Sequence, residues 1–156
     1  MFNFEEILLN IKAHNYRYIG SGSGRQVFDL GNGYVVKMAG NAKGIAQNKA
    51  EYQISSTSDN ALFAKVLQVS PDFQLLIMEK AAGLQHISPV WRYFHVNSNK
   101  ELLKARELRE IARVHHLLLP DLRRHQNWGK INERPVIIDY GFTQKVKRKY
   151  YSIFQR

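Results

Sequence analysis

A glycine-rich segment, Gly-Ser-Gly-Ser-Gly at residues 20–24, separates two stretches of strand-forming residues. Residues 16–19 and 26–30 contain the aromatic and branched side chains that favour strands. A P-loop requires Gly-Lys-Ser/Thr at the start of a helix, and a dinucleotide-binding fingerprint requires a helix directly after its glycines. Because a strand pattern follows the glycines here, both of those motifs are excluded, and an antiparallel pair of strands is predicted.

The first half of the chain continues as strands with one helix inserted. Gly-Asn-Gly at residues 31–33 is a tight-turn signal, and a third strand is predicted at residues 34–38. A helix is predicted at about residues 45–54, and two more strands at residues 63–69 and 73–78. Five antiparallel strands with a helix after the third are therefore expected.

Helical patterns open the chain and dominate its second half. Asn3 followed by Glu6 is typical of a capping box, so a first helix is predicted there. Ser88 before Pro89 predicts an N-cap and a short helix, and a longer helix is predicted at about residues 99–118. A final hairpin is predicted from the strand patterns near the end, at residues 128–131 and 135–138.

Length and composition fit one α+β domain. The 156 residues are 44% hydrophobic, which is enough for a single core. The absence of Cys excludes disulfides, thiolate chemistry and zinc sites built on Cys. No apolar run approaches the roughly 18 residues of a membrane span, and the N-terminus is acidic where a signal peptide is basic. We therefore expect a cytoplasmic protein that is not associated with a membrane.

Four charged residues stand where phosphate chemistry is possible. Lys37 ends the third strand and Glu51 lies in the following helix, so an ion pair between them would hold the lysine toward a phosphate. Asp139 leaves an apolar strand just before Tyr140-Gly141, which is a common geometry for a metal ligand. Asp121 lies in the loop after the long helix. Each residue alone is more often an ordinary surface or turn residue, so their order carries the argument.

Taken in order, these residues resemble the signature of the protein-kinase family. That signature combines a glycine-rich turn, a strand lysine, a helix glutamate, a catalytic aspartate and a metal-binding Asp-x-Gly. The matching positions are Gly20, Gly22, Val27, Lys37, Glu51, Glu79, Asp121 and Asp139. The resemblance extends from about residue 16 to residue 142, and each motif is weak when taken alone.

The resemblance implies a two-lobed α+β fold that binds ATP and Mg²⁺ in its cleft. The first lobe, about residues 1–80, would hold the five-stranded antiparallel sheet with one helix. The second, about residues 81–156, would be a reduced, mainly helical lobe with a basic tail. Because the chain ends 15 residues after Gly141, it looks like a minimal kinase, similar to the short kinase-like proteins of bacteria and their phages.

The resemblance also implies a role for each residue. The nucleotide-binding set is Gly20, Gly22, Gly24, Val27, Lys37 and Glu79, with Glu79 at the start of the adenine hinge. The catalytic set is Lys37, Glu51 and Asp121. In it, Lys37 held by Glu51 contacts the α- and β-phosphates, and Asp121 accepts the proton of the attacking hydroxyl. Asp139 would hold Mg²⁺ together with Asn127 or Gln126.

The chain departs from the family signature at three places. Arg25 stands where the third glycine of the turn is expected, although Gly24 lies one position earlier. Leu119-Pro120 replaces the His-Arg that precedes the catalytic aspartate. The expected asparagine position holds Gln126, and Asn127 follows it, so a slightly bulged loop with Asn127 as metal ligand is the preferred hypothesis.

Three functions fit these patterns. The first is a phosphotransferase, a minimal serine/threonine kinase that modifies itself or a protein partner. The second is a pseudokinase that keeps nucleotide binding or protein interaction without turnover, which the missing histidine favours. The third, a nucleic-acid binder, rests on the net charge of +10 and on the basic and aromatic tail at residues 145–151, but a solvated tail is preferred.

Overall fold

The computed structural model describes residues 2–150 and divides the chain into two compact units. Of the described residues, one unit comprises residues 2–58 with Lys65–Lys80, and the other comprises Asp59–Ala64 with residues 81–150. The end of the predicted basic tail, Tyr151, lies outside the described residues.

The first unit contains a single sheet and two helices. Its elements are α1 (Phe4–Lys12), β1 (Arg17–Ser21), β2 (Arg25–Asp29), β3 (Tyr34–Ala39), α2 (Ala42–Thr57), β4 (Val66–Val69) and β5 (Leu75–Glu79). All neighbouring strands are antiparallel, in the order β1-β2-β3-β5-β4. The predicted five-stranded antiparallel sheet with a helix after its third strand is therefore confirmed.

Helix α1 covers one face of this sheet. It begins after the predicted cap, Asn3, whose side chain accepts a hydrogen bond from the Glu6 N–H. Its buried residues Ile7 and Ile11 pack in one cluster with sheet residues that include Val36. Each such aliphatic side chain contributes roughly 1.5–3 kcal/mol when it is buried. This face of the sheet is therefore ordinary hydrophobic core.

The fourth strand begins at Val66, not at residue 63 as the pattern predicted. Phe63 forms a bridge with Ile137, and the Ala64 N–H donates to the Ile137 carbonyl at 3.0 Å. Ile137 belongs to the second unit, and so do Phe63 and Ala64. The apolar run was therefore divided between two hydrophobic cores, which its local pattern does not reveal.

The second unit combines helices with a small sheet. Its elements are β6 (Ala82–Gly83), α3 (Ser88–Tyr93), α4 (Asn99–Leu102), α5 (Arg106–His115), two 3₁₀ segments (Leu119–Arg123 and His125–Asn127), β7 (Trp128–Ile131), β8 (Arg134–Ile137) and α6 (Gln144–Tyr150). The three strands are antiparallel in the order β6-β7-β8. Trp128 is fully buried, and its indole N–H donates to the Leu122 carbonyl at 2.8 Å. That bond ties the hairpin to the first 3₁₀ segment.

Two helix predictions in this unit were wrong in detail. The single helix expected at residues 99–118 is divided into α4 and α5, because Ala105, with φ at −59° and ψ at 127°, leaves the helical conformation and occupies the N-cap position of the second helix. Ser88 is not an N-cap, since it lies inside α3 and no side chain caps that helix. The start of the predicted basic tail forms α6, in which Val146 is buried.

Among the described residues, no helix is both long enough and apolar enough to cross a membrane.

The backbones of the glycine-rich turn and of α2 touch at Gly24 and Gly44. The Gly40 N–H donates to the Gly24 carbonyl at 2.9 Å. A Cβ atom on Gly44 would overlap the Gly24 carbonyl oxygen, and one on Gly24 would lie 2.9 Å from the Gly44 nitrogen. Both positions therefore require glycine because two main chains approach closely.

We expect Gly44→Ala to destabilise the protein by about 1–3 kcal/mol, the usual cost of overpacking. This is opposite to the effect of helix propensity, since Ala stabilises a helix interior by about 1 kcal/mol relative to Gly. Urea unfolding measures the difference. Gly22→Ala is the control, because nothing lies within 4 Å of its added Cβ. A Gly44→Ala variant at least as stable as wild type would contradict the contact.

Candidate functional site

Lys37 lies in β3 and projects toward α2. In the register of the two strands Lys37 faces Val27, and Arg25 lies two residues before Val27 on β2. Side chains alternate along a strand and cross-strand partners share a face, so Arg25, Val27 and Lys37 project from the same face. Glu51 approaches this face from α2. The topology therefore brings the cationic side chains of Arg25 and Lys37 and the carboxylate of Glu51 close together.

The Glu51 carboxylate is fully buried and is shared by two cations. Lys37 Nζ donates to Glu51 Oε1 at 2.9 Å and to Oε2 at 3.1 Å. Arg25 Nη1 donates to Oε1 at 2.7 Å, and Nη2 donates to Oε2 at 3.1 Å. The arginine contact is bidentate, which is the strong geometry for a guanidinium and a carboxylate.

Asn48 completes what we call the Glu51 cluster, which consists of Arg25, Lys37, Asn48 and Glu51. Its Oδ1 accepts a hydrogen bond from Arg25 Nη1 at 3.0 Å. Its Nδ2 donates to the carbonyl of Phe73 at 2.8 Å, in the turn before β5. The cluster therefore joins β2, β3, α2 and that turn, and Glu51 has a partner that does not depend on Lys37.

Electrostatics keep Glu51 ionised. Burial raises the pKa of Glu51, but the charges of Arg25 and Lys37 and their hydrogen bonds outweigh burial and lower the pKa to about 2. The ordinary value is 4.5. Lys37 is therefore held by a permanent anion at neutral pH.

The glycine-rich turn is a short hairpin that leaves part of its backbone accessible. The Gly22 N–H donates to the Arg25 carbonyl at 3.0 Å and closes the turn. Nothing lies within 4 Å of a Cβ built on Gly20 or Gly22, whereas Gly24 is packed against Gly44. Neither Gly20 nor Gly22 has a positive φ. A ligand can therefore approach the backbone closely at Gly20 and Gly22.

Glu79 is engaged inside the first unit. It is the last residue of β5, and its Oε1 accepts the Lys65 N–H at 2.7 Å. The Glu79 N–H donates to the Lys65 carbonyl at 2.9 Å. Its side chain therefore fixes the chain where it enters β4.

In the second unit, Asn127 connects the two candidate aspartates. Asp121 lies in the first 3₁₀ segment, and its carbonyl accepts a hydrogen bond from Asn127 Nδ2 at 2.9 Å. The Asn127 carbonyl accepts the Ile138 N–H at 2.8 Å, directly before Asp139. Gln126 is exposed and has no side-chain hydrogen bond among residues 2–150. The structure thus brings Asp121, Asn127 and Asp139 together and leaves Gln126 apart.

The two aspartates influence each other. Partial burial raises the pKa of Asp121, and the charge of Asp139 raises it further. The cations Arg124, Lys147 and Arg123 act in the opposite direction without cancelling the increase. In the described part of the chain, the Asp121 carboxylate has no hydrogen-bond partner. It can therefore accept a proton more readily than an ordinary aspartate, and an incoming hydroxyl can donate to it.

A metal ion at this place would have few protein ligands. Within residues 2–150, no group of three or more His, Asp or Glu residues could hold a metal. Asp139 and Asn127 offer one carboxylate and one amide side chain.

Arg25 and Asn48 were missed as site residues. In the sequence Arg25 is a departure from the glycine pattern, yet in the structure it is 7% exposed and holds Glu51. A signal was present on α2, where Gly44, Asn48 and Glu51 recur at helical spacing on the buried side. A small or polar stripe where a helix normally carries apolar residues indicates a buried polar network.

Comparison with known proteins gives structural matches alone. No protein-family model matches the sequence, and no curated protein matches it. The gentamicin complex of APH(2")-IIa matches with a TM-score of 0.52 and 17% identity, over 91% of this chain and 71% of that chain. The streptomycin–ATP ternary complex of APH(2")-IIa matches with a TM-score of 0.51 and 17% identity, over 90% of this chain and 72% of that chain. At this identity the likeness concerns the fold.

Arg25→Met is expected to destabilise the protein by about 3–5 kcal/mol at pH 7, because a buried carboxylate loses its bidentate partner. The pKa of Glu51 should rise toward 4.5, so wild type gains stability over the variant only where Glu51 is ionised. The difference in the free energy of unfolding between wild type and Arg25→Met should therefore reach its maximum above about pH 4.5 and decrease as the pH falls toward 2. Urea unfolding between pH 7 and pH 3 measures it.

Arg92→Met is the matched control, since Arg92 is exposed in α3 and its side chain has no hydrogen-bond or ion-pair partner among residues 2–150. It should change stability by less than about 0.5 kcal/mol. A gap between wild type and Arg25→Met that does not vary with pH would show that Glu51 is not the group Arg25 stabilises.

Proposed function

The chain has a protein-kinase-like fold, and from this premise we propose that it is an ATP- and Mg²⁺-dependent phosphotransferase, a minimal kinase for serine or threonine hydroxyls of proteins. The observation that carries the proposal is the Lys37 ammonium held by the buried Glu51 carboxylate at 2.9 Å. A lysine fixed in this way offers a positive charge in a defined position, which suits a nucleotide phosphate.

The glycine-rich hairpin supports the same function. Gly20 and Gly22 have neither a positive φ nor a crowded Cβ position, so the fold of the described residues gives no reason for glycine there. Close approach of a ligand to the main chain would be a reason, because backbone N–H groups without side chains can donate to phosphate oxygens. Val27 and Glu79 would complete the nucleotide-binding set, and Gly24 would hold the hairpin against α2.

Asp139 and Asn127 fit the requirements of Mg²⁺. Carboxylate and amide oxygens are hard ligands, and Mg²⁺ usually keeps several water molecules and binds substrate phosphates with one or two carboxylates. A site with few protein ligands therefore suits this ion. When bound, Mg²⁺ would neutralise charge on the phosphates. Asn127 is preferred over Gln126 because its amide is fixed by the Asp121 carbonyl.

Asp121 would act as the base in the transfer. The acceptor hydroxyl oxygen forms a bond to the γ-phosphorus of ATP, and the bond from this phosphorus to the β,γ-bridging oxygen breaks. The electron pair of the broken bond leaves with ADP, and the hydroxyl proton passes to Asp121. A raised pKa with no competing side-chain hydrogen bond among the described residues favours this role.

The charges around Asp121 bear on which molecule accepts the phosphate. The matching APH(2")-IIa structures are complexes with gentamicin and with streptomycin. Aminoglycosides carry several amino or guanidino groups and are cationic at neutral pH. Arg123, Arg124 and Lys147 act on Asp121 through their charge and outnumber the two carboxylates there, Asp121 and Asp139, so the local charge disfavours a polycation. This electrostatic argument favours a protein hydroxyl over an aminoglycoside.

Addition of Mg-ATP is expected to raise the melting temperature, because ligand that binds the native state alone stabilises it by about 2.7 kcal/mol at 100 times Kd. Lys37→Ala should weaken ATP binding roughly 10- to 100-fold through loss of a charge-assisted hydrogen bond. The variant should still fold, since Arg25 remains on Glu51. Asp139→Asn should remove the Mg²⁺-dependent part of binding.

Calorimetric titration measures these affinities, and Lys12→Ala, an exposed lysine of α1, is the control. If wild-type protein shows no melting shift at any millimolar concentration of Mg-ATP, the proposed nucleotide site is wrong.

Asp121→Asn should lower the rate of phosphotransfer by roughly 10²- to 10⁴-fold, the usual contribution of a general base. It should leave ATP binding unchanged. Because the pKa of Asp121 is raised, its charged form disfavours folding at pH 7, so the neutral Asn should preserve or increase the melting temperature. Single-turnover assays with labelled ATP and thermal melting measure both effects. Full activity in Asp121→Asn would contradict this assignment of the base.

A further inference from the structure

A groove of about 670 Å³ lies in the second unit, beside the segment that leads to Asp121. One side is α5 and the residue Lys104 before it. The other side is formed by residues 117–120 and by Gln144 at the start of α6. We call it the α5 groove. The role proposed above for Asp121 does not use it.

The rim of the α5 groove is basic. Arg106, Arg109 and Arg113 are spaced by three and four residues on α5, so they follow one side of the helix. These arginines and Lys104 are all exposed. Glu110 is the one carboxylate among the lining residues, and its Oε1 already accepts a hydrogen bond from Arg113 at 2.6 Å.

Part of this positive charge has no partner. Among residues 2–150, neither Lys104 nor Arg109 makes a side-chain hydrogen bond or an ion pair. The hydrogen bond from Arg113 and the charge of Arg113, with a smaller effect from the charge of Arg106, lower the pKa of Glu110. The carboxylate therefore stays ionised but is outnumbered by four cations, so an anionic ligand is favoured over a cationic one.

The floor of the groove is aliphatic. Leu117 and Ala112 are buried, and Leu118 and Leu119 are half-buried. No aromatic side chain lines the described groove, so nothing there could stack on a nucleic-acid base. A phosphodiester chain would use the basic rim and gain little from the floor. An acidic peptide that carries aliphatic side chains would use both.

The groove reaches the segment that carries the proposed base. Pro120 lines the groove and Asp121 is the next residue, whose N–H donates to the Leu118 carbonyl at 2.9 Å. A peptide seated in the groove would therefore extend toward Asp121. It would also meet the positive charge of Arg123 and Arg124, which act on that aspartate.

We propose that the α5 groove docks an acidic, leucine-containing segment of a protein, and that this segment bears the hydroxyl acceptor. The second half of the proposal rests on the phosphotransferase function proposed above, whereas docking itself requires no nucleotide. The ligand class is thus an acidic peptide with aliphatic residues, and the groove determines which proteins become acceptors.

Docking is tested by fluorescence anisotropy on the full chain without ATP. The probe is a labelled peptide of about twelve residues made of Glu, Asp, Leu and one Ser. The double variant Arg106→Gln/Arg109→Gln should raise its Kd at least tenfold. The matched control, Lys12→Gln/Arg17→Gln, removes the same charge from exposed positions of the first unit and should change Kd less than twofold. Equal losses in the two double variants would overturn the proposal, because attraction to net charge would then suffice.

Two further probes separate a peptide from a nucleic acid. A peptide with Gly in place of Leu should bind the wild-type protein at least fivefold more weakly than the original peptide does. The variant Leu118→Asn should bind the original, leucine-containing peptide more weakly by a similar factor. A single-stranded oligonucleotide of equal charge should compete poorly. If Leu is dispensable and the oligonucleotide competes as well as the peptide, the groove is a polyanion surface and the proposal is wrong.

Labelled ATP connects docking to transfer. The acidic peptide should be phosphorylated on its Ser, and Arg106→Gln/Arg109→Gln should raise the peptide KM at least tenfold with little change in the KM for ATP. An unchanged peptide KM would overturn the acceptor claim. Failure of wild type to bind ATP while the peptide still docks would instead refute the phosphotransferase function and leave the docking site.

Discussion

The buried carboxylate of Glu51 is the constraint on which the first unit depends. An ionised group without exposure to water is tolerated only when it is paired and hydrogen-bonded. Arg25 from β2 and Lys37 from β3 must therefore both reach α2, and Asn48 must hold the guanidinium in place. The contacts that neutralise the buried carboxylate also fix Lys37, the lysine that we propose binds the nucleotide.

Division of labour between Arg25 and Lys37 follows from this geometry. Arg25 donates hydrogen bonds to both oxygens of the Glu51 carboxylate and to Asn48, so its role is to join α2 to the sheet. Lys37 can then turn its ammonium toward a phosphate without leaving Glu51 unpaired. In the second unit, Asp121 has no comparable partner among the described residues, and its raised pKa suits a group that exchanges protons.

Local patterns predicted the sheet and the Lys37–Glu51 ion pair, because strand alternation, glycine turns and helix periodicity can each be recognised within a short segment. These local patterns cannot predict contacts between segments that lie far apart in the sequence. Arg25 follows three glycines and resembled a departure from a motif, yet its partners lie 23 and 26 positions away. Phe63 and Ala64 continue an apolar run into β4, but Ile137 draws them into the other core. The start of β4 and the role of Arg25 both depend on such long-range pairing.

Central to this account is that Lys37, while it is held by Glu51, contacts the phosphates of ATP. Nuclear magnetic resonance of protein labelled with ¹⁵N at lysine side chains tests this most directly, with Lys37→Arg to assign the signal. Addition of Mg²⁺ and a non-hydrolysable ATP analogue should shift the Lys37 Nζ resonance and slow its hydrogen exchange, while Lys12 stays unchanged. A Lys37 signal that does not respond at saturating analogue would contradict the account.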